Sequence, residues 1–393
     1  MADRSAALSV CGLLPYPLDS APSQRFRVEQ WIPYLRDQHI SVDLFPFTDG
    51  RLSHLLYKPG QQLAKALALI KAFMRRAARL RLTARYDVIL IHRAVCIGGP
   101  ALLERLLTYC RRPVVFDFDD AIYLLDSSAA NRRLAWLKFP GKTGAICRLS
   151  THVVVGNSYL ADYARQHNPN VSVVPTSVDT ARYRPREGAT PHPKVVVGWT
   201  GSSTSQAHLE MFRPVLLELL KRRPVELRVI SDRQPVLPGV PCVWRPWSAK
   251  AEAEEVGQFD IGIMPLPDDQ WARGKCACKA LQCMAMALPV VCSRVGANCE
   301  VIRHGVNGFL AESPDEWITH LTALIDSLPL RRRLGEAARQ TVEANYSARH
   351  SAKLFGNVLW RAAEQYNSGA EGMRRQSQGA GNGHSQAKDL SPL

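Results

Sequence analysis

FDIGIMPLPDDQWARGKCACKALQCMAMALPVVCS, residues 259–293, decides the architecture. A short apolar run ends at Pro265 and a polar loop follows. A helix-like stretch opened by Lys275 and Lys279 then stops before Pro289, and a second apolar run, LPVVCS, closes the segment. Apolar runs of about four to eight residues bounded by turn residues read as buried strands. A helical stretch between two of them reads as one unit of a parallel sheet with covered faces.

The same alternation extends outward in both directions. KVVVGWTGSS from Lys194 and LRVIS precede the decisive segment. Before them lie ALSVCGLL (7–14), SVDLFPF (41–47), VILIHR (88–93), PVVFDFDD (113–120), HVVVGN (152–157) and VSVVP (171–175). VDTARYRPREGATPHP, rich in Pro and charge, separates the two series as a linker. With 393 residues the chain exceeds the roughly 250–300 at which single cores stop growing. The expected fold is α/β, with two doubly wound Rossmann-like domains facing a central cleft. The first covers 1–185 and the second 186–350; a helix at 351–367 packs back toward the first. The stretch 368–393 has almost nothing apolar to bury and is expected to be disordered.

Composition narrows the function classes. The apolar run in the first 20 residues ends at Pro15, and no later run reaches the 18 or so residues that span a bilayer, so a cytoplasmic protein is expected. The ten cysteines lack paired CxxC knuckles and read as reduced thiols, not as a zinc site. A net charge of +15 and a pI near 9.6 point to anionic partners. The densest basic stretch, Lys65 to Arg85, has no acid and carries leucines at helical spacing. It reads either as a packed helix with a solvated face or as a peripheral docking surface for an anionic membrane. Only Phe73 interrupts it before Tyr86, so nucleic acid is not expected as a partner.

Three places suit chemistry. The turn from Gly198 to Ser205 joins a strand to a helix, and Gly201, Ser202 and Ser203 suit a phosphate cradle, though such turns favour Gly and Ser in any α/β fold. No GxGxxG follows a strand, which argues against a nicotinamide or flavin site. Lys275 and Lys279 beside a helix N-terminus make an anion site. Asp117, Asp119 and Asp120 close a buried strand, a costly position for charge without a task or a partner. They read as a metal site, as a site for sugar hydroxyls or for orienting a base, or as partners of arginines such as Arg25, Arg27 or Arg93.

The segment 259–310 resembles the retaining family-four glycosyltransferases of the GT-B fold, and the likeness covers nearly all of the chain apart from the tail. That family carries a helix reading Glu-Ala-Met-Ala-x-Gly-x-Pro-Val-Val followed by Gly, Glu and Gly-x-x-Gly. Here Gln282-Cys283-Met284-Ala285-Met286-Ala287-Leu288-Pro289-Val290-Val291 leads to Gly296, Glu300, Gly305 and Gly308. The family's two glutamates, eight positions apart, fall on Gly274 and Gln282. Arg273, Gly274, Lys275, Lys279, Leu281 and Gln282 look like a branch with an Arg-Gly-Lys loop and a Lys-x-Leu-Gln helix.

The resemblance implies that Arg273, Lys275 and Lys279 meet a donor diphosphate, with Gln282 on the ribose and Trp247 near the base. It also implies a role for Arg25, with Ser23 and Arg27 nearby, where relatives carry a glycine-rich turn, and it puts Asn157 and Thr176 along the cleft. Asp119 and Asp120 take the place of a His-Asp pair, so the family's histidine is read as absent. The function it implies is metal-independent transfer of a sugar from a nucleoside-diphosphate sugar to a saccharide or lipid-linked acceptor. Retention of configuration and a setting in polysaccharide or cell-envelope synthesis follow from the same likeness. Asp119, Asp120 and Lys279 are the expected catalytic residues, and no separate cofactor is expected. The rivals are a nucleotide-sugar epimerase, which needs acid/base groups around the cleft, and an idle sugar- or nucleic-acid-binding protein, which the Gly274 replacement favours.

Overall fold

The computed structural model describes residues 7–58, 60–124, 139, 141–186 and 193–382. Its first sheet contains β1 (Leu8–Leu14), β2 (Ile40–Pro46), β3 (Val88–His92), β4 (Val114–Phe118), β5 (His152–Val155) and β6 (Val171–Val173). All pairings are parallel, in the order β2-β1-β3-β4-β5-β6. Every residue of β3 and β4 is buried, as a central strand covered on both faces requires.

The second sheet repeats the design with β7 (Val195–Thr200), β8 (Val225–Ser231), β9 (Cys242–Pro246), β10 (Ile261–Met264), β11 (Val290–Ser293) and β12 (Phe309–Ala311). Its order, β12-β11-β10-β7-β8-β9, is again wholly parallel. In each sheet the chain first extends to one side and then crosses to the other. The crossing point lies between β1 and β3 in the first sheet and between β7 and β10 in the second. Open parallel sheets offer a crevice at the carboxyl ends of the strands at such points.

A helix from Ala348 to Asn382 returns to the first domain, where Phe355 packs on Trp31 with ring centroids 5.1 Å apart and Ala352, Leu359 and Ala362 are buried. It continues past Ser368, where composition had pointed to disorder. Ala, Glu, Met, Arg and Gln in that stretch suit a helix, and the last buried side chain among those described is Ala363. Residues 383–393 of the expected tail, and 187–192 of the linker, lie outside the described residues.

Two expectations about elements need correction. The helix expected to open at Lys275 begins at Cys278, because Ala277 takes a left-handed conformation (φ 53) at its N-cap. Lys275 therefore lies in the approach to the helix, preceded by a one-turn helix, Gln270–Arg273, whose cap Asp269 accepts from the Ala272 N–H at 2.7 Å. The turn after β7 starts at Gly201, since Gly198 and Trp199 belong to the strand.

The basic stretch forms a helix over Gln62–Leu80 and a 3-10 turn over Arg81–Arg85. Ala72, Arg76 and Leu80 face the core, and Leu69 and Phe73 pack against it. The outer face is not purely polar: Leu63, Leu67, Ile70 and Met74 are 59–75% exposed, beside exposed Lys71 and Arg75. Among the described residues, no helix is long and apolar enough to cross a membrane.

Candidate active site

The first domain presents a closed set of charges at the ends of β3 and β4. Asp117 is fully buried and receives Arg27 at 2.5 Å, while His92 Nδ1 lies 2.8 Å from its other oxygen. Burial opposes the Asp117 charge, but Arg27 and His92 outweigh it and hold the carboxyl below its usual range. Arg93 lies 2.8 Å from Asp120 and 3.4 Å from Asp119. Asp119 also accepts from Ser23 Oγ at 2.5 Å, and that hydroxyl lies 3.1 Å from His92 Nε2. Burial, with Asp120 close by, pushes the Asp119 carboxyl up. For Asp120 burial acts the same way, but Arg93 and Lys275 prevail and hold it low. Of the readings open at the strand end, pairing with arginines is met by Arg27 and Arg93. Arg25 goes elsewhere.

The second domain presents the opposite arrangement. Lys279, in the first turn of the Cys278–Ala285 helix, is half-buried; its ammonium donates to Ser205 Oγ at 3.2 Å and sits 4.9 Å from the Trp199 ring centroid. Burial first, and then the neighbouring charge of Lys275, pull its pKa down to about 7. His208 reports the same field, since burial, Lys279 and Lys275 together push it down to about 4. Lys275 sits 5.4 Å from the Trp271 ring. Among the described residues, neither lysine has a carboxylate within ion-pair distance.

The other expected donor contacts are placed less freely. Gly201 N–H donates to Ile230 O at 3.0 Å, while Ser203 gives its N–H and its hydroxyl to Asp232, at 2.5 and 2.8 Å. Because β8 lies beside β7, Asp232 at its end reaches over the turn, so these donors are already engaged. Ser202 Oγ pairs with Thr204 Oγ1. Arg273 points outward to Asp268 at 2.6 Å. Gln282 is buried and donates to Tyr183 Oη at 3.0 Å. Trp247 packs against the core and donates to Glu252 at 2.9 Å, so its indole is tied to the wall and is not an open platform.

The domains meet through buried polar contacts. Arg25, expected on the acceptor side, reaches across to Glu252 at 2.9 Å, and Tyr183 donates to the same carboxylate at 2.8 Å. Asn157 caps the Ser158–Arg165 helix through its Oδ1 and donates to Lys275 O at 3.0 Å. Ser158 bonds Glu300 at 2.5 Å. Cys276 Sγ lies 3.1 Å from Asp119 O, which brings the lysine loop to the carboxylate cluster. Thr176 is buried. Gly274 has a steric reason: a Cβ there would come within 2.8 Å of Ala121 Cβ and 2.9 Å of its nitrogen. A glutamate at that position would have to displace the first domain.

His92, Glu252 and Tyr183 do not stand out in the sequence, whereas Ser205 belongs to the hydroxyl-rich turn read as able to cap the helix or donate to phosphate. The one available signal was His92, a polar residue ending an otherwise apolar strand next to the aspartate strand. Glu252 lies in KAEAEEV, where nothing distinguishes it from its surface neighbours.

Residues 194–327 match the family model described as Glycosyl transferases group 1. Among solved structures, sucrose-phosphate synthase from Thermosynechococcus elongatus superposes with a TM-score of 0.66 at 14% identity, covering 90% of this chain and 98% of that one. A glycosyltransferase from Rickettsia africae ESF-5 gives 0.63 at 14% identity, with 91% and 98% covered. Anabaena HepE, solved in complex with UDP and glucose, gives 0.60 at 15%, with 90% and 100% covered. The fold is GT-B. Spore coat protein SA of Bacillus subtilis (strain 168) is 33% identical over 80 residues, 20% of this chain and 21% of that protein. The chain thus matches about a fifth of that curated relative's length. The family match covers the domain that carries Lys275 and Lys279, and it supports glycosyl transfer as the chemistry of the GT-B cleft.

Proposed function

We propose that the chain transfers a glycosyl group from a nucleoside-diphosphate sugar to a hydroxyl of a saccharide or lipid-linked saccharide, with retention, in polysaccharide or cell-envelope glycan synthesis. The observation that carries this reading is the pair Lys275 and Lys279. Both are cations without a carboxylate partner among the described residues, set where a GT-B cleft faces the Asp119–Asp120 cluster. The chemical demand is to separate a sugar from a departing diphosphate. Two ammonium groups in a low-dielectric wall stabilise that growing charge without a metal. Lys279 and Ser205 hold the diphosphate, Asp119 and Asp120 hold sugar or acceptor hydroxyls, and Gln282 and Trp247 shape the nucleoside wall through Tyr183 and Glu252. Retention rests on the likeness to the family-four enzymes. Because a similar structure was solved with UDP and glucose, a UDP-sugar is the first donor to try.

The exposed stripe Leu63, Leu67, Ile70 and Met74, flanked by Lys71 and Arg75, supports peripheral seating on an anionic membrane. Such seating would suit a lipid-linked acceptor. The deciding assay is a donor panel of UDP-, GDP-, TDP- and ADP-sugars read by thermal shift and by release of nucleoside diphosphate. One nucleotide series is expected to stabilise the protein and to be turned over, with both effects lost in Lys279→Ala. Silence across all series would refute glycosyl transfer.

A further inference from the structure

Asp117, His92, Ser23 and Asp119 form a continuous chain of hydrogen-bonding groups. His92 Nδ1 is 2.8 Å from Asp117, His92 Nε2 is 3.1 Å from Ser23 Oγ, and Ser23 Oγ is 2.5 Å from Asp119 Oδ1. The far end is fully buried at His92 and Asp117, whereas the Asp119 side chain keeps 10% exposure beside the lysine loop. Ser23 itself is half-buried in the first turn of the short helix Pro22–Arg27. A hydroxyl donates one proton, so only two arrangements satisfy every link. Either Ser23 donates to the Asp119 carboxylate and accepts from a His92 protonated on both nitrogens, or a protonated Asp119 donates to Ser23, which donates to neutral His92. The two differ only in which end holds one proton.

From this geometry we infer that Ser23 and His92 are positioning residues of a proton relay that carries the acceptor hydroxyl's proton from Asp119 to His92. The inference rests on the glycosyl-transfer reading. In the step itself the acceptor oxygen bonds to the anomeric carbon as the bond from that carbon to the diphosphate oxygen breaks, and the diphosphate leaves with the electron pair. Before the step the relay is one proton short of either arrangement, with Asp119 a carboxylate, His92 neutral and Ser23 donating to only one of them; the acceptor's proton then passes to Asp119. Asp119 then gives a proton to Ser23 Oγ while Ser23 gives its own to His92 Nε2. Asp119 returns to a carboxylate and the imidazolium is held against Asp117.

Charge balance favours a single mobile proton. Within the first domain Arg27 and Arg93 bring two positive charges to the three carboxylates Asp117, Asp119 and Asp120, and the one negative charge left over is met by Lys275 across the cleft without an ion-pair contact, or by a proton on Asp119. The remaining titratable groups around the relay are Tyr16 beside Arg93, and Cys276 and Lys275 from the second domain. Burial pushes the Cys276 thiol well above its usual range, so it stays protonated and does not compete for the proton. Burial and the neighbouring Asp120 raise the Asp119 carboxyl, which makes it a readier proton acceptor than an ordinary carboxylate.

The test compares wild type, Ser23→Ala and Ser23→Thr with the donor found in the panel. General acid–base assistance contributes about 10²–10⁴-fold, so Ser23→Ala is expected to lower kcat about 10²-fold, to leave the donor KM nearly unchanged and to abolish the solvent deuterium effect on kcat. Ser23→Thr, which keeps the hydroxyl, is expected to restore most of the rate and the isotope effect. Equal losses in both variants would make Ser23 a merely structural residue of its helix and overturn the relay, as would an unchanged rate in Ser23→Ala. A second readout needs no turnover. In protein labelled with 15N-histidine, the resonance of an imidazole Nε2 is expected to move in Ser23→Ala and to return in Ser23→Thr; no movement would overturn the relay. If wild type releases no diphosphate from any donor, the transfer reading fails by itself, and the imidazole signal still decides whether Ser23 and His92 are coupled.

Discussion

The two lips of the cleft handle charge in opposite ways. On the first domain every carboxylate at the end of β4 has a partner: Asp117 has Arg27 and His92, while Asp119 and Asp120 share Arg93. On the second, among the described residues, Lys279 meets a serine hydroxyl and an indole face and Lys275 an indole face, and neither has a carboxylate within ion-pair distance, although Asp120 feels the charge of Lys275 from across the cleft. Buried charges are costly unless paired. The first lip is therefore built to hold its own shape, while the second keeps a cost that an anionic ligand would relieve. The contrast separates positioning from binding without reference to any relative.

The largest effect should come from breaking the neutralised side. Arg27→Met leaves Asp117 buried against His92 alone and is expected to lower stability by about 3–5 kcal/mol, measured by urea unfolding. If the variant were as stable as wild type, the first lip would not be the self-supporting half.

Lys279→Met should behave in the opposite sense, with stability held or raised and transfer reduced by about 10²–10³-fold. The pH dependence sharpens the same point. With a folded pKa near 7 against an ordinary 10.5, the unfolded chain binds a proton between those values that the folded chain lacks. The contribution of this lysine therefore makes stability rise with pH across that window and level off above it. Thermal melts across the window should show that slope in wild type and its loss in Lys279→Met; identical slopes would contradict the assigned field.

A smaller effect is expected away from the cleft. Leu67→Glu with Ile70→Glu on the exposed stripe should weaken binding to anionic phospholipid vesicles by about tenfold or more while leaving the melting temperature and donor turnover in solution unchanged. Undiminished flotation would remove the membrane from the account.

The architecture was legible because β3, β4, β7 and β11 are short, largely apolar runs, and a buried parallel strand imposes that pattern on its own sequence. β12, three residues after a glycine turn, carried too short a pattern to read. At the site, Lys275, Lys279 and the aspartates stood out because charges beside a helix start or at the end of an apolar strand are locally anomalous. Glu252 and Tyr183 did not, since their meaning lies in contacts with Arg25 and Gln282, more than 60 residues away or in the other domain. The same holds for Gly274, whose missing side chain is explained by the approach of Ala121 from the first domain. That Ser203 of the Gly201–Ser203 turn is engaged by Asp232 was likewise not legible, because Asp232 is distant in sequence and adjacent only through the β7–β8 pairing.

The most direct test of an uncompensated cation on the donor lip is proton uptake on nucleotide binding. Calorimetry of a nucleoside diphosphate at about pH 8, in buffers of different ionisation enthalpy, is predicted to show uptake of about one proton by wild type and none by Lys279→Met, with weaker binding in the variant. Binding of equal strength in both proteins, with no proton taken up, would contradict the account.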